Sequence, residues 1–253
     1  MSSKIVKVIG LSALALSSAV FAQTKAPEPD YTLSYNAGVV TEYRYRGISQ
    51  SGKKPALQGG VDFAHKDGAY LGLWASTISW IKDSGPGLKG PVEADIYGGY
   101  KGAINDTFSY DVGGLQYWYV NNNYKNVASN ANTFELYGAL TAGPVTAKYS
   151  RSLTDLFGTL NSKGSGYLDL SATFDLGNGL SVVPHVGRQT IKNFGNYTDY
   201  SLALNKDIDG LVLSATLLGT NWKNKFGTAF TLPGSGSKDL AGNTVVLGIK
   251  KNF

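Results

Sequence analysis

From Tyr31 to Phe253 apolar and polar residues alternate along much of the chain with a period of two. Leu168, Leu170, Ala172 and Phe174 stand against Tyr167, Asp169, Ser171 and Thr173. Phe134, Leu136, Gly138 and Leu140 stand against Thr133, Glu135, Tyr137 and Ala139, and Leu211, Leu213, Ala215 and Leu217 against Ser214 and Thr216. Successive side chains of a strand point to opposite faces, so each run predicts a strand with one apolar and one polar face. Twelve such segments follow: Tyr31–Tyr45, Pro55–His65, Ala69–Trp80, Val92–Lys101, Thr107–Tyr119, Thr133–Thr141, Val145–Ser152, Tyr167–Leu176, Leu180–Gln189, Tyr197–Lys206, Leu211–Leu218 and Asn243–Phe253. In the third segment Tyr70, Trp74, Ile78 and Trp80 share a parity, which predicts either a bulge or side chains that fill an interior.

The connections sharpen the reading. Those after even-numbered segments are tight: Lys66-Asp67-Gly68, Gly102–Asp106, Ala142-Gly143-Pro144, Gly177-Asn178-Gly179 and Asp207–Gly210. They carry the Gly, Asn, Asp and Pro that hairpins need. Those after odd segments are longer and polar, as in Val120–Asn132, Leu153–Gly166 and Gly219–Gly242. An even strand count with short turns at one end and long loops at the other is the pattern of bacterial outer-membrane barrels, turns periplasmic and loops extracellular. A soluble sandwich or lipocalin-type barrel also alternates, so the N-terminus matters. Lys4 and Lys7 precede an apolar run from Val8 to Val20, and Val20-Phe21-Ala22 offers a cleavage site before Gln23. About 20 apolar residues are needed for a spanning helix, and this run is shorter.

The last segment ends on Phe253, with Val245, Leu247, Ile249, Lys251 and Phe253 on one parity. A terminal aromatic closing an alternating strand is what outer-membrane insertion machinery reads, and the last strand must pair with the first to remove both edges. Lys251 departs from the usual apolar residue and can snorkel to an interface. The fold expected is all-β: an antiparallel up-and-down transmembrane β-barrel of 12 strands in the bacterial outer membrane. Residues 1–22 are expected as a cleaved signal peptide, 23–30 as a short N-terminal segment and 31–253 as the barrel. Interface girdles are expected from Tyr43, Tyr45, Trp118, Phe134, Tyr149 and Tyr200 outside and Tyr100, Phe108 and Phe253 inside.

Composition narrows the chemistry. Thirty-two Gly suit curved strands, and the absence of Cys excludes disulfides, thiolate metal sites and a Cys nucleophile. Net charge is +5, falling to +3 when Lys4 and Lys7 leave, and no nucleic-acid motif accompanies it. No cofactor or metal is implied. Gly85-Pro86-Gly87 and Gly234-Ser235-Gly236 read as loop punctuation, because no helix follows to complete a phosphate cradle.

The stretch Val40–Ser51 (VTEYRYRGISQS) with Pro55–Gly60, Gly68–Ser76 and Glu93–Tyr100 resembles the TorF family of porins, a proteobacterial outer-membrane family of uncharacterised function. Thr77 stands where that family has Asn. The resemblance implies a barrel and a pore, and names neither substrate nor catalytic residues.

Inward parity places the acids Glu42, Asp62, Glu93, Asp95, Asp111, Glu135, Asp169 and Asp199 in the lumen, with Arg44, Arg46, Lys101, Lys148 and Lys250. Barrels of eight strands are filled and those of 16 to 18 hold open channels, so twelve predicts a narrow passage. Candidate selectivity residues are Glu42, Arg44, Glu93, Asp95, Asp111, Glu135, Lys148, Asp169 and His185, and the acidic bias predicts a mild cation preference. A plugged interior in which these charges pair is the alternative. A lipid-acting enzyme is the other, but His65 abuts a periplasmic turn and His185 sits mid-strand, away from outer-leaflet lipid. Expected partners are outer-membrane lipid, lipopolysaccharide meeting the basic loops, the barrel assembly machinery and small solutes.

Overall fold

The computed structural model describes residues 29–222, 232–236 and 238–253. Residues 1–22, expected as a signal peptide, lie outside the described residues, as do most of the 23–30 segment, Lys223 and Lys225. Thirteen β-segments form one antiparallel sheet. They are β1 (Tyr31–Val40), β4 (Ala56–His65), β5 (Ala69–Thr77), β6 (Val92–Ala103), β7 (Phe108–Val120), β8 (Thr133–Ala142), β9 (Val145–Ser152), β10 (Gly166–Ala172), β11 (Phe174–Gly177), β12 (Leu180–Ile191), β13 (Gly195–Ile208), β14 (Leu211–Thr220) and β15 (Thr244–Asn252). β10 and β11 are halves of one strand interrupted at Thr173, whose N–H turns to the Pro144 carbonyl. Both pair with β12, so twelve strands go round. β1 pairs with β4 on one side and β15 on the other, which closes the sheet into a barrel with no free edge.

The wall is inside out relative to a soluble protein. Leu57, Leu71, Leu136, Leu168, Leu202, Leu217 and Leu247 are all exposed on the outer face, each on the apolar parity. Such a belt is stable only against lipid, and closed sheets satisfy every backbone group there. Among the described residues no helix is long and apolar enough to cross a membrane. Trp118, Tyr149 and Tyr200 are exposed near one end, Tyr100, Phe108 and Phe253 near the other.

The tight turns fall where Gly, Asn and Asp placed them, with Asn178, Gly179, Asp209 and Gly210 all at positive φ. Three expectations change. The first strand stops at Val40 rather than Tyr45; Thr41–Pro55 leaves the wall, and β2 (Arg44–Tyr45) and β3 (Ile48–Ser49) form a separate small hairpin. Tyr43 and Tyr45 are therefore interior residues, not girdle residues; Tyr43 is 9% exposed. The fifth long connection is a three-residue turn, Lys192–Phe194, because Ile191 and Gly195 still pair. Trp80 leaves the wall and opens a one-turn helix, α1 (Trp80–Asp83). The inward parity of Tyr70 and Trp74 stands, and Ile78 and Ile81 join a buried cluster with Tyr43, Leu88, Tyr117 and Tyr119.

Lys53, Lys89, Lys125, Lys163 and Lys192 lie in connections at one end of the barrel, and Asp67, Asn105, Asn178 and Asp209 in turns at the other. Single cysteines at these sites, probed on intact cells with an impermeant thiol reagent, should label only in the first group. Labelling in the second group would reverse the assigned orientation.

Candidate functional site

The small hairpin occupies the barrel. Its turn, Arg46-Gly47, has φ +45° and +79°, positive at both central residues as a two-residue type I′ turn requires. Gly47 is forced twice over: a Cβ there would meet Cβ of Asp199 and of Thr220, each at 2.9 Å. The tip thus presses against the wall of β13 and β14.

Side chains then bolt it down. Arg46 donates from Nη1 and Nη2 to the two carboxylate oxygens of Glu135, at 3.1 and 2.7 Å, and from Nη1 to Gln189 Oε1 at 2.6 Å. Its Cζ lies 4.1 Å from the ring centroid of Tyr167 and 4.7 Å from that of Tyr45. Arg44 donates to Glu42 at 3.0 Å and to the carbonyls of Gly47 and Gly242. The Tyr43 hydroxyl donates to Glu93 at 2.7 Å, and the hydroxyls of Tyr45 and Tyr117 lie 2.7 Å apart. Ser49 N–H bonds the Leu240 carbonyl, and the N–H groups of Ser79 and Trp80 both reach the Gln50 carbonyl, which ties the hairpin to the second and last long connections.

A cavity of about 550 Å3 lies on one side of the hairpin, rimmed by connection residues such as Tyr124, Phe157, Phe194 and Trp222. Another, of about 380 Å3, lies on the other side among strand residues including Lys148, Asp169, His185 and Asp199. Hairpin residues line both, and Tyr45 belongs to each. The connections above are themselves ordered. Asp155 accepts bonds from Ser129 Oγ at 2.8 Å and from the N–H groups of Ser162 and Lys163, which hold its carboxyl below the usual range.

The lumen candidates divide accordingly. Glu42, Arg44, Glu93 and Glu135 meet at the hairpin and are its fastenings; Asp95, on the same stretch of wall, is 9% exposed and its Oδ1 has no hydrogen-bond partner among the described residues. Asp169 and His185 join in a second group: His185 Nε2 is 2.9 Å from Asp169 Oδ2, and the Tyr167 hydroxyl donates to Asp199 at 3.0 Å. Asp111 accepts from Tyr70, and Asp62 from Tyr97, each at 2.5 Å. Lys148 stands 3.9 Å from the centroid of the Tyr137 ring. Not anticipated were Gln189, Tyr167 and Tyr117 as hairpin partners. Two signals were available: the fifteen-residue first segment is the longest of the twelve, beyond the 9–11 residues that a tilted strand needs, and Gly47 stands just past its end with no turn assigned to it.

The family model described as "Bacterial protein of unknown function (Gcw_chp)" matches residues 24–253. The chain belongs to this family. No curated protein matches it in sequence. Solved structures similar to this Gcw_chp chain include the KdgM porin in complex with disordered oligogalacturonate, with TM-score 0.54, 7% identity, and 87% of this chain and 98% of that chain covered. The NanC porin gives TM-score 0.53 and 10% identity, covering 87% and 99% of the two chains. At such identities the likeness is one of fold: this Gcw_chp barrel has the architecture of outer-membrane porins.

Proposed function

We propose that the protein is a narrow outer-membrane channel for small hydrophilic solutes, constricted by its own first connection. The observation that carries this is the polar interior of a closed twelve-strand wall, crossed by a folded hairpin with a cavity on either side. The resemblance of Val40–Ser51 to the TorF porins supports the same reading. So does the likeness to porins, which conduct without chemistry.

The wall gives the passage its sign. Asp62, Asp111, Asp169 and Asp199 outnumber Lys101, Lys148 and Lys250 among the inward residues away from the hairpin fastenings. Charges on exposed connections are screened over about 8 to 10 Å at physiological salt. Low-dielectric walls instead focus the interior field. The basic connections at the other end, among them Lys53, Lys89 and Lys163, would then meet the phosphates of lipopolysaccharide. Refolded protein in a planar bilayer should give small, defined current steps, and reversal potentials under a KCl gradient should show a mild cation preference. Replacing Asp111 and Asp169 with Asn should weaken that preference. Persistent silence would favour a closed structural barrel, and anion preference would remove the role given to the acids.

A further inference from the structure

The seat that holds Arg46 belongs to the wall, not to the hairpin. Glu135 on β8 offers both carboxylate oxygens, Gln189 on β12 its side-chain carbonyl, and Tyr167 on β10 the face of its ring. Gln189 Nε2 donates to the Gly166 carbonyl at 3.1 Å and the Thr190 carbonyl at 3.2 Å, which turns the amide so that its oxygen meets the guanidinium. The Arg46 and Glu135 side chains are 6% and 3% exposed, so the pair is shielded from bulk water. A carboxylate fork, a neutral acceptor and an aromatic face are the groups that a planar cation with five N–H donors requires. A compact ammonium uses the fork poorly.

The occupant is less well suited to its place than the seat is to it. Arg46 sits at the first central position of a type I′ turn, where Asn, Asp or Gly is the usual residue, and holds φ +45°. The backbone accepts a conformation that side-chained residues avoid in order to deliver a guanidinium to this point.

We infer that the wall carries a binding site for small guanidinium-bearing solutes, and that Arg46 is its tethered competitor. A free guanidinium that takes the seat releases the hairpin tip, so binding and widening of the passage are linked. The consequence for transport rests on the channel reading; the binding does not, and calorimetry reads it in a barrel that never conducts. In the wild-type protein the tethered arginine, at an effective concentration in the millimolar range, suppresses the apparent affinity.

Agmatine is the probe, titrated into refolded barrels whose folding is checked by heat-modifiable migration. Arg46→Ala should bind agmatine about tenfold or more tighter than wild type, because the competitor is gone. Adding Glu135→Gln should lose about tenfold or more of that affinity, the loss expected when a charge-assisted bidentate pair is cut. Putrescine, with ammonium groups only, should bind Arg46→Ala about tenfold more weakly than agmatine. Arg46→Lys, which keeps the charge and loses the fork, should give the same ordering in smaller steps and serves if the alanine variant does not refold. Equal agmatine affinity in wild type and these variants, indifference to Glu135→Gln, or parity with putrescine would overturn the assignment.

Discussion

Replacing Gly47 with valine should drive the hairpin out of the barrel and raise single-channel conductance several-fold. Two penalties act together. Position 47 holds φ +79°, where a β-branched side chain is strained by about 1–2 kcal/mol or more. The new Cβ also meets Cβ of Asp199 and Cβ of Thr220 at 2.9 Å, and both are anchored in strands rather than at the ends of flexible side chains. Overpacking of that kind costs roughly 1–3 kcal/mol further. Neither penalty touches the strand pairing that closes the wall, so the barrel itself should survive and remain heat-modifiable. Aromatic contacts report the change independently: Tyr43 packs edge-on against Trp74, with centroids 5.4 Å apart, so tryptophan emission should shift when the hairpin leaves. Unchanged conductance together with unchanged emission would mean that the hairpin tolerates the side chain and stays in its berth. A shift in emission without added current would leave the hairpin mobile but the barrel closed elsewhere.

The wall of this protein was legible in its sequence, and what fills it was not. A period of two, clear in β8, β10 and β14, determines which face meets lipid, because a slip of one residue would turn leucines such as Leu136, Leu168 and Leu213 inward. Turns such as Gly177-Asn178-Gly179 name their own backbone geometry, and the positive φ of all three residues follows from that chemistry. The first connection breaks the correspondence for a physical reason. Tyr43, Arg44, Tyr45 and Arg46 alternate as a wall strand would, yet both parities there can be buried, since the lumen offers carboxylates to arginines and rings to tyrosines. Pattern therefore could not distinguish a strand facing lipid from a hairpin facing a polar interior. The partners of Arg46 escaped for a related reason: Glu135, Tyr167 and Gln189 lie far apart in sequence, and it is the register of neighbouring strands, with Tyr167 paired to Gln189 and Glu135 two strands away on β8, that brings them to one point. Individually each is an ordinary inward residue. Two clues stood in plain view, the excess length of the first segment and a glycine with no turn assigned to it. Glu93, Asp95 and Glu135, read as rings of charge around an aqueous passage, lie in the hairpin's berth, with Glu93 and Glu135 bound to it.

Deletion of Phe253 should lower the yield of assembled barrel in cells several-fold, and the structure separates two reasons why. The first is the seam. β1 and β15 share five register pairs, against ten for β1 and β4. Phe253 extends the seam, its N–H bonding the Tyr35 carbonyl at 2.9 Å and its carbonyl accepting from the Tyr35 N–H at 3.3 Å. Loss of these two bonds falls on the joint that closes the wall. The second reason is the side chain. Phe253 is 62% exposed and contributes no core packing, so whatever it does is done at the membrane interface or in the hands of the insertion machinery. Phe253→Asp keeps the main-chain bonds and removes the aromatic. A charge near the interface costs only about 0–1 kcal/mol. Refolding into detergent, where no machinery acts, should therefore leave Phe253→Asp near wild type and impair the deletion. Expression in cells should impair both, leaving periplasmic aggregate or degraded chain. Equal loss for both variants in detergent would place the effect in the closed wall rather than in recognition, and wild-type levels of both in cells would remove Phe253 from assembly altogether.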